Sequence, residues 1–385
     1  MTLNLDAQER KEFLSRGFSR RNFGRIATML TAGATLPFYN EPAMAQAQLS
    51  KIDGPIPLDA VMINANENPM GPCPEALEAI HNIAAKGGRY MYNLTNDMSV
   101  TLANSLGLKP EYVRPAAGSS NPLHHAVMAF CSPQKGYVVA NPGYEAGSRA
   151  AEFVGAKAYN VPLTKNFAHD VKAMAKADPN AGLLYLCNPN NPTGSLTSRA
   201  DMEWLLANKP AGSILLVDEA YIHFADGATS MVDMVGKDKE VVVLRTFSKL
   251  YGMAGLRAAA TIARPDLQDK MSRFSAGALP VTAMVAANAS LKVKNLIAER
   301  RKTMKEIRED VLEFCDKHNF HYVPSESNKF MVDTKRPGNE IVQAMAKEKV
   351  YIGRVWPIWP TYVRVSVGTR DEMAKFKAAF LKVMA

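Results

Sequence analysis

The chain has 385 residues, 47% of them hydrophobic, enough to bury a large core and to divide into two lobes. Its formal net charge of +9 is not gathered into a basic block, and no helix-turn-helix, zinc pattern or aromatic–basic interleaving is present, which argues against nucleic-acid binding. Four scattered cysteines (Cys73, Cys131, Cys187, Cys315) form no Cys-x-x-Cys pair and read as small core residues, neither a disulfide framework nor a metal site.

The N-terminus has the three-part form of a secretion signal. Ser19-Arg20-Arg21-Asn22-Phe23 precedes a moderately apolar run from Ile26 to Phe38, and Ala43-Met44-Ala45 offers a small-x-small cleavage site before Gln46. The run is too short to span a bilayer stably, so no membrane anchor is expected after cleavage. The paired arginines resemble a twin-arginine (Tat) signal, although Gly24 and Arg25 stand where that pattern usually has leucine and lysine. The plainer alternative is a basic amphipathic arm. The first reading sets residues 1–45 apart from the fold and implies a periplasmic location; the second leaves the protein cytoplasmic.

Residues 50–59 are rich in Pro, Gly and charge and read as an extended arm. The cluster Asn64-Ala-Asn-Glu-Asn-Pro-Met-Gly-Pro72 is too dense in turn formers to be a helix. Helices are expected over 76–86, stopped by Gly87-Gly88, and over 99–106. Gly118-Ser119-Ser120-Asn121-Pro122 opens a helix over 123–130; its small residues leave backbone N–H groups free, which suits an anion cradle or simply an N-cap. His124 and His125 on that helix face different ways, so they are read as packing or surface residues and not as a metal pair.

From there the pattern alternates. Strands at 137–140, 156–161, 183–187, 214–217 and 241–244 are separated by helices at 145–154, 169–177 and 197–208. Polar clusters gather at the strands' C-terminal ends, which predicts a mostly parallel sheet with its site along that edge. After Pro280 a single long helix is expected over 281–317. Short strands at 321–323, 329–332, 350–354 and 362–367 follow, with helices at 340–347 and from 371, forming a smaller α+β lobe.

The most informative stretch is Arg245-Thr-Phe-Ser-Lys-Leu-Tyr-Gly-Met-Ala-Gly-Leu-Arg257. It combines an amine able to form an imine, Lys249, with hydroxyls at Thr246 and Ser248, an arginine suited to a phosphate, and glycines that permit close approach. Those are the requirements of a pyridoxal 5'-phosphate (PLP) pocket.

Together with Asn188-Pro-Asn-Asn-Pro-Thr-Gly194, Asp218-Glu-Ala-Tyr221 and Val363-Arg364-Val-Ser-Val-Gly-Thr369, this stretch resembles the fold-type I, PLP-dependent aminotransferases, and within them the histidinol-phosphate aminotransferase branch. The likeness runs from Asn66-Glu-Asn-Pro-Met-Gly71 and Arg89-Tyr90 to Thr369. It implies an α/β, aspartate-aminotransferase-like fold: an N-terminal arm and small-domain segment (46–88), a large PLP-binding domain (89–278) and a small C-terminal domain (279–385).

The resemblance also implies roles. Lys249 would hold the cofactor as a Schiff base and then move the proton at the substrate Cα. Asp218 would pair with the ring nitrogen, Asn191 and Tyr221 with the ring's phenolic oxygen, and Tyr144 would stack on the ring face. Ser119, Ser120, Asn121, Thr246, Ser248 and Arg257 would hold the phosphate. Tyr90 would reach it from a neighbouring subunit, making a homodimer with shared sites. Arg364 would clamp the substrate α-carboxylate, with Asn191 beside it. Glu219 is expected to be structural.

At the substrate end, Arg354 matches an arginine that contacts substrate phosphate in histidinol-phosphate enzymes. The segment up to Arg364 is shorter than usual, however, and carries Trp356 and Trp359, either pocket walls or loop packing. The expected activity is transfer of an amino group from an amino acid to a 2-oxo acid. The alternatives on the same scaffold are an O2-dependent oxidase or deaminase, a lyase or a decarboxylase. A non-catalytic sensor is a remoter alternative, for want of any output module.

Overall fold

In the computed structural model the described residues are 7–22, 24, 26, 40–52, 54–275 and 277–385. Phe23 of the arginine-pair pattern and residues 27–38 of the apolar run lie outside them. The strands, in chain order, are β1 (Val61–Ile63), β2 (Val113–Ala116), β3 (Tyr137–Asn141), β4 (Ala158–Pro162), β5 (Leu183–Cys187) and β6 (Ile214–Asp218). They continue as β7 (Val241–Thr246), β8 (Ala259–Ala263), β9 (His321–Val323), β10 (Lys329–Asp333), β11 (Val350–Ile352) and β12 (Tyr362–Ser366).

Seven of these form one sheet in the order β2-β8-β7-β6-β5-β3-β4. All its neighbouring pairs are parallel except those made by β8, which runs against both β7 and β2. The central strands β5, β6 and β7 are buried at every position. Near-continuous apolar runs of this kind are what helices on both faces of a parallel sheet require. The expectation of an α/β fold with a mostly parallel sheet and a smaller α+β lobe is met.

The smaller lobe is an antiparallel sheet, β12-β10-β9, accompanied by the parallel pair β1–β11. The segment after the N-terminal arm thus supplies a strand to the C-terminal lobe.

Several elements differ from the sequence reading. β1, β2 and β8 were not anticipated. The expected helix over 281–317 is two helices, Val281–Lys292 and Leu296–Lys317, because Asn295 takes the left-handed conformation (φ 67°) between them. The first of the pair buries Ala283, Met284, Ala286 and Ala287 in the same core as Val138, Leu184, Leu215 and Val243 of the large sheet. It therefore packs with the large domain, although it follows the boundary expected at 278.

The N-terminal region also differs from expectation. Phe18, Ile26 and Met44 belong to the main core cluster. The Arg16 Nη2 donates to the carbonyls of Met128 (2.8 Å), Ala129 (2.9 Å) and Cys131 (3.0 Å), the end of helix Ser120–Phe130, where a cation complements the dipole. A helix runs over Glu41–Leu49, so the division expected after Ala45 falls inside it. Among the described residues no helix is long and apolar enough to cross a membrane.

Candidate active site

The C-terminal ends of β2, β3, β5, β6 and β7 open onto one cavity of about 280 Å³. Ser119, Ser120, Tyr144, Asn191, Asp218, Tyr221, Thr246, Ser248, Lys249 and Arg257 all line it. Five strand ends thus bring together ten of the residues singled out from the sequence, and they do so because parallel strands deliver all their C-terminal ends to one edge.

Asp218 ends β6 and is buried. Its Oδ2 accepts from the Tyr185 hydroxyl at 2.8 Å and its Oδ1 from the Ala220 N–H at 3.1 Å. Burial pushes its carboxyl up to about 6, against the pull of those two donors and of the Lys249 and Lys329 charges. Tyr185, on the neighbouring strand, was missed by the sequence reading. The cue was present: it is the one side chain with a polar tip in Leu183-Leu-Tyr-Leu-Cys187.

Lys249 follows β7, is buried and lines the same cavity as Asp218. Burial lowers its amine to about 8. Its Nζ donates to the Asn66 carbonyl at 2.6 Å. Asn66 in turn sits at φ 54° and donates from Nδ2 to the Tyr221 hydroxyl at 2.8 Å. The turn cluster, which the sequence marks as non-helical and as the start of the family likeness without giving it a role, is thus the device that holds the amine and the tyrosine in relation to each other.

Ser119, Ser120, Thr246, Ser248 and Arg257 add four hydroxyls and a guanidinium to the same lining. Thr246 Oγ1 contacts Ser248 Oγ at 3.0 Å and accepts from its N–H at 3.1 Å, fixing the turn before the lysine. Arg257 lies over Gly118, where an added Cβ would overlap its guanidinium; Gly118 is at φ +82°, a conformation only glycine adopts freely. Ser120 Oγ and the Tyr144 hydroxyl are 3.2 Å apart, tying the ring of Tyr144 to this helix start.

Arg364 and Arg354, the two arginines expected at the substrate end, do not line this cavity. Arg364 is wholly buried on β12 and donates to Asn191 Oδ1 (3.2 Å) and the Asn64 carbonyl (2.8 Å). Arg354 donates to Glu145 Oε1 at 2.8 Å. Trp356 is buried beneath both guanidiniums, 4.6 Å from that of Arg354 and 5.6 Å from that of Arg364, and its Nε1 donates to the Gly143 carbonyl at 2.9 Å. Trp356 is thus an arginine support, while Trp359 packs on Phe167 and Tyr362. Both arginines also bond the carboxylate of Glu41, a residue the sequence reading placed outside the fold.

Residues 59–380 match the model of the aminotransferase class I and II family. The chain belongs to that family. It is 31% identical over 337 residues to the histidinol-phosphate aminotransferase of Moorella thermoacetica, covering 85% of this chain and 86% of that protein. It is also 31% identical over 318 residues to an aromatic amino acid aminotransferase of Cutibacterium acnes, covering 82% and 90%. Among solved structures, the histidinol-phosphate aminotransferase of Sinorhizobium meliloti in complex with pyridoxal-5'-phosphate superposes with a TM-score of 0.77 at 25% identity, covering 90% of this chain and 95% of that one. This aminotransferase is a PLP-dependent transaminase that moves an amino group from an amino acid to a 2-oxo acid.

The pocket of this aminotransferase fits the cofactor on its own chemistry. Four hydroxyls, a guanidinium, a buried carboxylate and a desolvated amine all line it. Among the described residues no group of three or more His, Cys, Asp or Glu is placed to hold a metal ion.

The remaining candidates lie elsewhere. Asn121 is partly buried but does not line the cavity. Tyr90 stands clear of it, 70% exposed and stacked on the equally exposed Tyr92 with ring centroids 5.8 Å apart. His124 and His125 pack on their helix, and burial lowers them to about 3 and about 4. Glu219 is structural, as expected: it accepts from Arg245 Nε and from the Met231 N–H, both at 2.7 Å.

Proposed function

We propose that Lys249 is the residue that carries the cofactor and then serves as the proton-transferring base of the transaminase. PLP supplies an electron sink for the substrate Cα. The observation that carries this reading is the Lys249 amine itself. It is buried, lowered to about 8, and lines one cavity with Asp218 and the Arg257 donor cluster. An amine so lowered is free base in about a tenth of molecules at pH 7 and about half at pH 8, against fewer than about one in a thousand at pH 7 for an unshifted lysine, which favours a general-base role.

The other residues follow from charge and shape. Asp218, held by Tyr185, is assigned to the ring nitrogen, and Ser119, Ser120, Thr246, Ser248 and Arg257 to the phosphate. Asn191 and Tyr221 are assigned to the ring oxygen and Tyr144 to the ring face. Arg364 is assigned to the substrate α-carboxylate, beside Asn191. Arg354, braced by Glu145 and Trp356, is assigned to an anionic group further out on the substrate. Relatives of equal identity are named for different substrates, so their names do not choose between donors.

Borohydride reduction of the holoenzyme followed by peptide mass analysis tests the central assignment. A mass increase confined to Lys249 is expected; labelling elsewhere, or none, overturns it. An amino acid should bleach the bound cofactor's absorbance and a 2-oxo acid restore it. Release of peroxide or ammonia without an acceptor would mark another reaction.

Two further features belong to this reading. The arginine pair and Ala43-Met44-Ala45 support export by the twin-arginine route and a periplasmic location, which the N-terminal mass of the secreted chain tests. The exposed, stacked Tyr90 and Tyr92 support a homodimer in which Tyr90 completes the neighbouring phosphate site. Its test is the mass of the protein in solution.

A further inference from the structure

Arg364, assigned above to the substrate carboxylate, already holds one. Glu41 places one carboxylate oxygen on Arg364 Nη2 and the other 3.3 Å from Arg354 Nη2. Glu41 is buried and, with Pro42, lines the cavity that Lys249 also lines. A second carboxylate cannot take the same guanidinium edge while the first stays, because two like charges would be forced into contact in a site screened from water.

The helix that presents Glu41 is anchored at its other end. Gln48 Nε2 donates to the carbonyls of Ile352 (3.1 Å) and Gly353 (3.0 Å). The first turn is held by its own cap, Asn40 Oδ1 accepting from the Ala43 N–H at 3.0 Å, and by the two arginines. The small-x-small sequence Ala43-Met44-Ala45 lies between. Scission after Ala45 leaves Gln48 on the body of the protein and severs Glu41 from it.

We infer that Glu41 is an internal stand-in for the substrate carboxylate: a chain that retains it is held closed, and loss of residues 1–45 opens the arginine pair. The inference rests on the assignment of Arg364 and, for the release, on the proposed signal. The rival account is that Glu41 is a permanent counter-ion that keeps Arg364 and Arg354 in place, in which case removing it damages the site.

The two accounts differ in sign. Succinate, a carboxylate with no amino group to react, is titrated calorimetrically into the full-length holoenzyme, its Glu41→Gln variant and a Gln48→Ala variant. Glu41→Gln should bind succinate about tenfold or more tighter than the unsubstituted chain, since it removes a competitor from most molecules. Gln48→Ala, which loosens the helix without touching either arginine, should shift binding the same way by less. Unchanged or weaker binding in Glu41→Gln overturns the inference. Should that variant fail to fold, as its melting profile would reveal, Gln48→Ala decides by the same criterion. Calorimetry reads carboxylate binding whether or not Lys249 takes a borohydride label, so failure of the cofactor assignment is separable. An exported chain whose mass still includes Glu41 overturns the release.

Discussion

The Tyr185 hydroxyl donates to Asp218 Oδ2 at 2.8 Å from the adjacent strand of the sheet. The bond opposes the desolvation that raises Asp218 to about 6. Tyr185→Phe should therefore raise that value further and move the acid limb of the kcat/KM profile to higher pH, so the loss is greater at pH 6 than at pH 8. One hydrogen bond to a charged group is worth about 1.5–3 kcal/mol, or roughly ten- to a hundredfold in the affected range. Asp218→Ala should cost about 10²–10³-fold at every pH, as removal of a preorganised charge does. An unshifted profile in Tyr185→Phe would show the bond to be incidental.

Lys249 carries its own pH dependence. Burial lowers the amine from 10.5 to about 8, so it sheds its proton as pH rises through that value. The rate of the half-reaction with amino acid, followed by stopped-flow absorbance, should climb with pH and level off above about 8. Stability of the cofactor-free protein, in which this amine is not tied up in a Schiff base, should follow the same sign: between about 8 and 10.5 the unfolded chain binds the proton and the folded one does not, so stability increases with pH there. Lys249→Ala should slow transamination by about 10²–10⁴-fold and remove this limb of the profile.

Gly118 makes room for Arg257. Gly118→Ala would place a methyl in the guanidinium and force an L-residue to φ +82°, strain of about 1–3 kcal/mol. PLP affinity, measured by fluorescence titration, should fall by about tenfold or more. Gly88→Ala, whose Cβ would meet nothing within 4 Å, should leave that affinity unchanged.

Glu219 sits one residue from Asp218 but serves the fold. Its loss would strand Arg245, whose remaining side-chain partners are Ser230 Oγ at 3.0 Å and His223 Nε2 at 3.1 Å. Glu219→Ala should destabilise by about 3–5 kcal/mol, the cost of an uncompensated buried charge. The drop should appear in thermal unfolding, while the holoenzyme keeps its cofactor absorbance. A stable but colourless variant would contradict this division of labour.

These contrasts explain what could be read from the sequence. β3, β5, β6 and β7 were legible because strands covered on both faces need unbroken apolar runs. β8, Ala259–Ala263, is mostly alanine and has little strand character of its own; it is paired because β7 and β2 flank it. β2 carries Pro115, which an edge strand tolerates and which hid it. The helix break at Asn295 left no trace in a run of Ala, Lys and Glu, since one left-handed residue suffices. At the site, residues within contiguous motifs were found, whereas Glu41 and Tyr185 act through partners far away in sequence. Glu41 was hidden for a further reason: its segment looked disposable.

The pairing of β1 with β11 has a bearing on how the molecule is made. Val61 lines up with Val350 and Ile63 with Ile352, so a strand near the beginning waits for a strand near the end. Contacts closed over so long a loop form late. A ribosome must release the chain through Ile352 before that pair can form. Its earliest-synthesised strand is therefore among the last pieces to settle, and chaperones have that whole interval in which to engage it.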